Sequence, residues 1–298
     1  MLRFLAIFLI LFGSGAHRGE DAYRAGIEKW REERETGLRA DDGWLTVAGL
    51  VWLKEGDNRF GADPAADIVV PRAAHPFAGV FSLARGRVTL RAAPGVTILL
   101  NGKPLTGDAA PVLLRSTSSR IPLDAVTVGD VVLWVHESGD RRGIRLRDPN
   151  SKLRRTFKGL RWFAIDERYR VPATFVRTTP RPVRVPTLVG DFADYEQIGF
   201  VRFTLDGKPL RLVAFQTESP PPRLYFLFRD RTSGKETYPA IRFLIADMPG
   251  ADGKTTLDFN KAYNPPCAYN PFTTCPIPPR ENHLPVEIRA GEKDYQVP

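Results

Sequence analysis

Residues 257–285 read LDFNKAYNPPCAYNPFTTCPIPPRENHLP, and this stretch limits how the end of the chain can fold. Its many prolines exclude a helix or a central strand, because proline lacks the backbone N–H that both structures use. The asparagines and threonines between them make the stretch polar as well as stiff. We predict a rigid loop of the Ω type, which follows the last core strand and covers a polar patch.

The N-terminus has the three parts of a secretory signal peptide. Residues 1–16 contain one positive charge at Arg3, an apolar run over residues 4–12 and a small-residue end, Ser14-Gly15-Ala16. The apolar run is too short to span a bilayer comfortably, and no later segment of the sequence resembles a transmembrane helix. We predict a cleaved signal peptide and a periplasmic or secreted protein.

Cys267 and Cys275 are the two cysteines of the chain. In an oxidising compartment such a pair is interpreted first as a disulfide, which would stabilise the fold by about 2–3 kcal/mol through loop closure. A metal site would need more ligands than two thiolates, and only His283 lies close in sequence. A cysteine nucleophile would need a histidine partner, for which no recognisable spacing exists. We predict a disulfide, no metal and no cofactor.

The composition is that of an ordinary globular chain, with 298 residues, 43% hydrophobic and 26% charged, which is enough for two domains. The formal net charge of +9 is compatible with a polyanionic partner, such as an anionic envelope polymer or a lipid surface. Scattered arginines with acids between them are also typical of a surface charge that serves solubility. Basic residues alternate with acids except between positions 141 and 161, where they are enriched. We do not expect nucleic acid as a partner, because an exported chain without a reading motif is a poor candidate.

Residues 20–35 predict an amphipathic helix. Tyr23, Ile27 and Trp30 recur at i, i+4 and i+7, and Gly37 is predicted to end the helix. One apolar stripe is typical of a helix docked across a domain surface. We therefore assign residues 17–43 to a docking helix and its lead-in.

Residues 44–150 predict a β-sandwich, because short apolar runs alternate with turn residues such as Asn101-Gly102. The segments LKEGDNRFG (53–61), DIVV (67–70), NGKPL (101–105) and VGDVV (128–132) resemble the strand and turn landmarks of a forkhead-associated domain. The phosphate-binding residues of that family are missing. Ala62 stands in place of its arginine, and His75 lacks the serine that precedes the family's histidine. Without the guanidinium fork we expect no phosphothreonine binding.

Residues 151–298 predict a second β domain, a barrel or a sandwich, with the boundary in the polar segment 147–156. Asp206-Gly207 predicts a hairpin, and the apolar runs 224–228 and 241–246 predict strands buried on both faces. This part resembles an uncharacterised bacterial family, domain of unknown function 1684. The Trp30 helix and residues 44–53 also resemble the N-terminal part of that family, so the resemblance extends over nearly the whole chain after residue 16. The resemblance rests on FKGLRWF (157–163), DRTSGKETY (230–238), RFL (242–244), DFNKAYNPPCA (258–268), TCP (274–276) and Asn282. It implies no particular activity.

Seven polar residues of this second part are candidates for catalysis or ligand binding: Asp230, Glu236, Tyr238, Arg242, Asp258, Asn260 and Asn264. Two carboxylates near a tyrosine and an arginine could act as general acid and base on a sugar or an amide. The same residue types also form buried networks that satisfy turn backbone groups and pair an arginine with a carboxylate. Both interpretations stay open.

Aromatic residues accompany this set in sequence: Tyr195, Tyr225, Tyr238, Tyr263, Tyr269 and Phe272. They suit either a carbohydrate-binding face or core packing. The expected molecule is thus a mainly β exported protein with a docking helix, a forkhead-associated-like sandwich and a second β domain. Our main hypothesis is a non-catalytic binding or scaffold protein of the cell envelope. The alternative is a hydrolase that acts on a small molecule or glycan with paired carboxylates, so whether the protein is an enzyme stays open.

Overall fold

A computed structural model describes residues 14–117, 123–217 and 220–295. The chain is mainly β, and one long N-terminal helix precedes three sheets. The predicted signal peptide, residues 1–16, lies almost wholly outside the described residues. Among the helices that the structure describes, none combines the length and the apolar character needed to cross a bilayer.

The long helix α1 spans Ser14–Arg39 and has the predicted apolar stripe on its buried side. Ile27 is 1% exposed, and Trp30 packs edge-on against Trp162 with ring centroids 5.7 Å apart. The helix continues two residues beyond Gly37, where the sequence predicted its end. Burial of Leu38 offsets the roughly 1 kcal/mol that a glycine costs inside a helix. A second helix, α2, covers Lys152–Thr156 and is capped by the Ser151 side chain.

The strands of the first part are β1 Val47–Trp52, β2 Gly56–Gly61, β3 Ile68–Val69, β4 Gly79–Ala84, β5 Arg87–Ala92, β6 Thr97–Leu100, β7 Lys103–Thr106, β8 Val112–Leu113, β9 Val126–Val128, β10 Val131–Ser138 and β11 Arg141–Arg147. They form a sheet in the order β1-β11-β10-β9-β6-β7 and a second sheet in the order β3-β2-β4-β5-β8. Pairing is antiparallel except between β2 and β3.

These two sheets enclose one hydrophobic core. Phe60 and Phe81 contribute to it from the second sheet, and Leu133 and Ile144 from the first sheet. The Asn101-Gly102 turn joins β6 to β7 with φ angles of 52° and 76°, the positive values that a two-residue hairpin requires. The prediction of short strands around tight turns is confirmed here.

The strands of the second part are β12 Arg170–Pro186, β13 Phe192–Leu205, β14 Lys208–Gln216, β15 Leu224–Phe228, β16 Arg242–Ala246 and β17 Lys254–Asp258. They form the third sheet, in the order β16-β15-β14-β13-β12-β17. Its edge strands β16 and β17 lie close together, so this sheet curves into a half-barrel. The predicted hairpin is confirmed, because Asp206-Gly207 joins β13 to β14 with positive φ at both residues.

Both faces of the third sheet are covered, as the continuous apolar runs predicted. Leu224, Phe226 and Phe228 point to the larger core, which the chain segment 284–290 closes. Tyr225 and Leu227 alternate with them and therefore point to the opposite face. This opposite face is rich in aromatic side chains, and it leads to the site described below.

The proline-rich stretch is irregular, as predicted, and contains short 3₁₀ turns at Phe259–Lys261, Pro266–Ala268 and Arg280–Asn282. The predicted disulfide is confirmed, since Cys267 and Cys275 are joined with their Cα atoms 6.1 Å apart. Between them Asn270 donates from Nδ2 to the carbonyl oxygens of Trp44 (2.9 Å) and Val47 (2.6 Å). The disulfide loop thus ties the third sheet to the start of the first sheet. The domain boundaries stay a prediction.

Candidate ligand-binding site

Helix α1 places three side chains on the third sheet and on the segments that follow it. The Tyr23 hydroxyl donates to Asp258 Oδ1 at 2.9 Å and accepts from Asn260 Nδ2 at 2.9 Å. Trp30 faces the Tyr263 ring at 6.4 Å, and the Arg34 guanidinium lies 4.3 Å above the centre of the same ring. The helix therefore forms one wall of the space beside the Tyr263 ring.

Arg34 and Glu292 form a buried ion pair at the centre of this wall. Arg34 Nε lies 2.9 Å from Glu292 Oε2, and the glutamate side chain is completely buried. The carboxylate also accepts from the Tyr269 hydroxyl and from Asn264 Nδ2 at 2.9 Å. A second Arg34 nitrogen, Nη2, donates to the Asn264 carbonyl at 2.8 Å. These bonds join α1, the residues after β17 and the chain end.

The charges of this network are internally balanced. Burial opposes the charge on Arg34, but the Glu292 carboxylate outweighs that effect and raises the pKa of Arg34. Burial, reinforced by Glu292, raises the pKa of Tyr269 well above its ordinary value, so this tyrosine stays protonated. Asn264 Oδ1 is the exception, because it is buried without a hydrogen-bond partner in the part of the chain that the structure describes. It is an acceptor that a ligand could satisfy.

A cavity of about 410 Å³ lies against this network. We call it the aromatic cavity, because its wall contains Trp44, Tyr195, Tyr225, Phe243, Tyr263 and Tyr269. Asn264, Arg34 and the disulfide cysteine Cys275 also line it. A size of a few hundred Å³ with mostly apolar walls and a few polar groups is typical of a small-molecule site.

Other spaces adjoin the aromatic cavity, and two of them share Tyr263 with it. The outer cleft, about 570 Å³, shares Tyr195, Tyr225 and Tyr263 with it and adds Asp194 and Glu196. The polar cleft, about 580 Å³, shares Arg34, Trp44 and Tyr263. Tyr263 lines all three spaces. Its backbone is held in place by two hydrogen bonds to Phe243, of 2.8 and 2.9 Å.

The seven candidate residues do not converge on one site. Asp230 and Arg242 form an ion pair of 2.8 Å with both side chains completely buried. Asp258 and Asn260 belong to the Tyr23 network.

The remaining three candidates have separate surroundings. Asn264 joins the Glu292 network, and Glu236 pairs with Arg289 at 2.9 Å on the surface. Tyr238 packs beside the aromatic face, where burial raises its pKa. Asp258 lines the polar cleft and Asn264 lines the aromatic cavity.

The aromatic residues singled out in the sequence are more closely associated than the polar ones. Tyr195, Tyr225, Tyr263 and Tyr269 all line the aromatic cavity. Tyr195 and Tyr225 stand with ring centroids 6.1 Å apart, and Tyr225 stands 5.3 Å from Phe243. Burial raises the pKa of Tyr225 well above its usual value.

Sequence reasoning missed Arg34, Trp44 and Glu292. Arg34 is four residues after Trp30, so it continues the stripe of α1, and this spacing could have indicated it. Glu292 has no comparable signal, because it lies near the chain end and outside any periodic segment. Within residues 14–117, 123–217 and 220–295, no group of three or more histidine, cysteine, aspartate or glutamate side chains could hold a metal ion.

Comparison with known proteins adds a family but no activity. Residues 155–293 match the family described as Protein of unknown function (DUF1684). A solved structure with detectable similarity is the solution NMR structure of an uncharacterized protein from Haloarcula marismortui. It is 37% identical, with 47% of this chain and 78% of that chain covered and a TM-score of 0.40. No curated protein matches the chain. Through residues 155–293, the chain belongs to the DUF1684 family.

Proposed function

We propose that this protein is a non-catalytic binding protein of the cell envelope, which holds a carbohydrate in the aromatic cavity. The observation that carries the proposal is the set of tyrosine rings that line the aromatic cavity and the outer cleft together, with Tyr263 common to both. Sugar rings present flat apolar faces edged by hydroxyl groups. Tyrosine offers an apolar ring and a polar tip, so it matches both features.

The polar groups around the rings support a neutral, hydroxyl-rich ligand. Asn264 Oδ1 is a buried acceptor without a donor, and the carboxylates of Asp194 and Glu196 stand at the outer cleft. Arg34 is already neutralised by Glu292, which leaves little attraction for an anion inside the aromatic cavity. Sugar hydroxyl groups can donate to all three acceptors, whereas a fully ionised phosphate or sulfate group has no proton to donate.

The contacts of Asp230 and Asp258 support the alternative function, a hydrolase with paired carboxylates, less well than they support a binding protein. Asp230 is bound to the guanidinium of Arg242 in a fully buried pair, and it accepts from Thr232 as well. Asp258 has its own partners in Tyr23 and Asn260. A general acid and a general base must both reach the substrate, and these two carboxylates share no partner in the described network.

The envelope location rests on the signal-like sequence of residues 1–16, and the role of the first part rests on its resemblance to forkhead-associated domains. We infer a sandwich of that type without a phosphate site, because Ala62 replaces the required arginine. We infer that the sandwich serves to support the disulfide loop, which Asn270 anchors to Val47.

The test uses soluble neutral oligosaccharides, chitotetraose and cellotetraose, titrated into the protein while tryptophan fluorescence is recorded. Trp44 lines the aromatic cavity, so binding should change its emission. Tyr263→Ala should weaken binding by about tenfold or more, because removing a central aromatic contact costs about 1.4 kcal/mol or more. The expected result is saturable binding that this variant loses.

The matched control is Phe200→Ala. Phe200 is an aromatic residue of the same sheet, but it stacks on Arg211 away from these cavities. It should bind like the wild type. The proposal fails if neither oligosaccharide binds, or if Tyr263→Ala and the wild type bind with the same affinity.

A further inference from the structure

A second feature of the molecule lies outside the aromatic cavity, on the outer face of the first sheet. Arg145 and Arg147 alternate along β11 with Ile144 and Leu146, which point into the sandwich core. The two arginines therefore point to the opposite face. Arg145 is only 5% exposed. A charged side chain with so little exposure normally has a counter-charge.

Arg145 has no such partner among the described residues. Its Nε and Nη2 atoms are buried without a hydrogen bond, and the same is true of Arg147 Nε. Neither arginine forms an ion pair with an acid of the described segments. Asp42 favours the charge on Arg147 only from a distance. Arg145 and Arg147 therefore lie side by side, with guanidinium N–H groups that donate no hydrogen bond to the described residues.

The other buried arginines of the chain show what is missing. Arg242, completely buried, is paired with Asp230 and donates to the carbonyl of Ile288. Its Nε has no hydrogen-bond partner among the described residues, as at Arg145, but its charge is compensated by the carboxylate. Arg34 is paired with the buried Glu292. The chain therefore supplies a carboxylate where it buries an arginine permanently. At Arg145 it supplies only indole rings, Trp44 at 5.7 Å from Arg145 and Trp134 at 4.9 Å from Arg147.

The surroundings of the pair are those of a covered site. Across the strand pair Trp134 faces Arg145, and His136 follows on the same face of β10. The disulfide loop lies over this face, where Thr274 Oγ1 stands 3.4 Å from His136 Nε2. His136 Nδ1 is buried and has no hydrogen-bond partner within the described segments. Loop and sheet thus enclose several unused nitrogen atoms.

The electrostatics agree with an anion as the missing partner. Burial, with the neighbouring Arg147, lowers the pKa of Arg145 to about 10, so the guanidinium is still charged at neutral pH. Burial and Arg145 lower the pKa of His136 to about 4, so this imidazole is neutral at the same pH. The uncompensated charge is therefore that of the two arginines.

We infer that Arg145 and Arg147 form a binding site for a phosphate group. Two guanidinium groups match the charge of a phosphate dianion, and planar N–H pairs match its oxygen atoms. The phosphate belongs to free inorganic phosphate or to a phosphorylated molecule of the envelope. This site is distinct in charge from the aromatic cavity, although Trp44 and Thr274 border both.

The experiment follows the thermal midpoint of the purified protein in sodium phosphate and in sodium chloride of equal ionic strength. A ligand that binds the folded state at about 100 times its Kd should raise the midpoint by about 5 °C for a chain of this size. Arg145→Met should abolish this rise. It should also raise the midpoint in chloride, because a buried unpaired charge is removed.

Arg211→Met is the matched control, since Arg211 also stacks on an aromatic ring, that of Phe200, but lies on the third sheet. It should keep the phosphate response. Arg147→Met repeats the test if the first variant does not fold. A second arm with glycerol 3-phosphate identifies the source. A smaller rise with glycerol 3-phosphate supports free phosphate, and an equal or larger rise supports a phosphorylated ligand.

The inference is overturned if phosphate and chloride give the same wild-type midpoint, or if Arg145→Met responds to phosphate as the wild type does. Oligosaccharide binding at the aromatic cavity is measured separately, through tryptophan fluorescence and Tyr263→Ala. Either proposal can therefore fail without the other.

Discussion

The ion pair between Arg34 and Glu292 allows the sharpest test of how α1 is held. Replacing Arg34 with methionine keeps the apolar stem but removes the charge. The variant loses the 2.9 Å contact to Glu292, the 2.8 Å bond to the Asn264 carbonyl and the stack 4.3 Å above Tyr263. Glu292 then carries a completely buried charge without a cation.

The expected cost follows from these contacts. Removing one partner of a buried pair costs about 3–5 kcal/mol, and the lost cation–π contact adds about 0.5–1 kcal/mol. Asn264 and Tyr269 still donate to Glu292, which reduces the penalty. We therefore expect Arg34→Met to lower the free energy of unfolding by about 3–4 kcal/mol. The double variant with Glu292→Gln should recover at least about 1 kcal/mol of this, because the buried charge is gone.

The assay is urea denaturation, followed by circular dichroism and tryptophan fluorescence. Arg31→Met is the matched control on the same helix. Arg31 stacks on Trp162 at 4.9 Å and donates to the Phe163 carbonyl at 3.0 Å, but it forms no ion pair with a carboxylate of the described residues. It should cost about 1–1.5 kcal/mol. The reasoning is refuted if Arg34→Met costs no more than Arg31→Met, or if the double variant is less stable than Arg34→Met.

Two further predictions concern other ion pairs. Arg242→Met should destabilise by about 3–5 kcal/mol in urea denaturation, because it leaves Asp230 buried and unpaired; adding Asp230→Asn should restore part of that loss, and a double variant no better than the single one would argue against a buried charge as the cause. The hydrogen bonds from the Arg115 side chain, opposed by burial, lower the pKa of Asp124 to about 2. The stabilisation of the fold by the ionised Asp124 is therefore complete above about pH 4 and is lost as the pH falls from about 4 to about 2. With Arg115 partly exposed, the loss should be about 1–2 kcal/mol; Asp124→Asn should lack this part of the acid dependence, and an unchanged acid profile would contradict the assignment.

The aromatic cavity and the pair of Arg145 and Arg147 differ in how their buried charges are compensated. At Arg34 and Arg242 the chain buries a cation and supplies a carboxylate, which is the pattern of permanent structure. At Arg145 the chain buries a cation and supplies no carboxylate among the described residues. This is the pattern expected of a site that binds an external anion. The aromatic cavity, in contrast, is close to electrically balanced, and this favours a neutral ligand there.

The local features of this protein follow from residues that are neighbours in the sequence. Asn101-Gly102 and Asp206-Gly207 specified their hairpins, because positive φ at both central residues is a property of the dipeptide and its tight turn. The stripe of Tyr23, Ile27 and Trp30 specified which side of α1 is buried. The proline-rich stretch with its two cysteines specified an irregular, disulfide-linked loop. Each of these follows from residues that are neighbours along the chain.

Contacts between distant residues, in contrast, depend on the complete fold. Arg34 and Glu292 are 258 positions apart, and no spacing rule connects them. The seven polar candidates looked like one group because they are close in sequence, yet Asp230 and Asp258 belong to different networks. The tyrosines converge because alternate residues of β13 and β15, together with Tyr263, face the same side of the third sheet. Strand pairing and sheet curvature are sums over many long-range contacts, so the cavity and its charge balance became visible only in the folded chain.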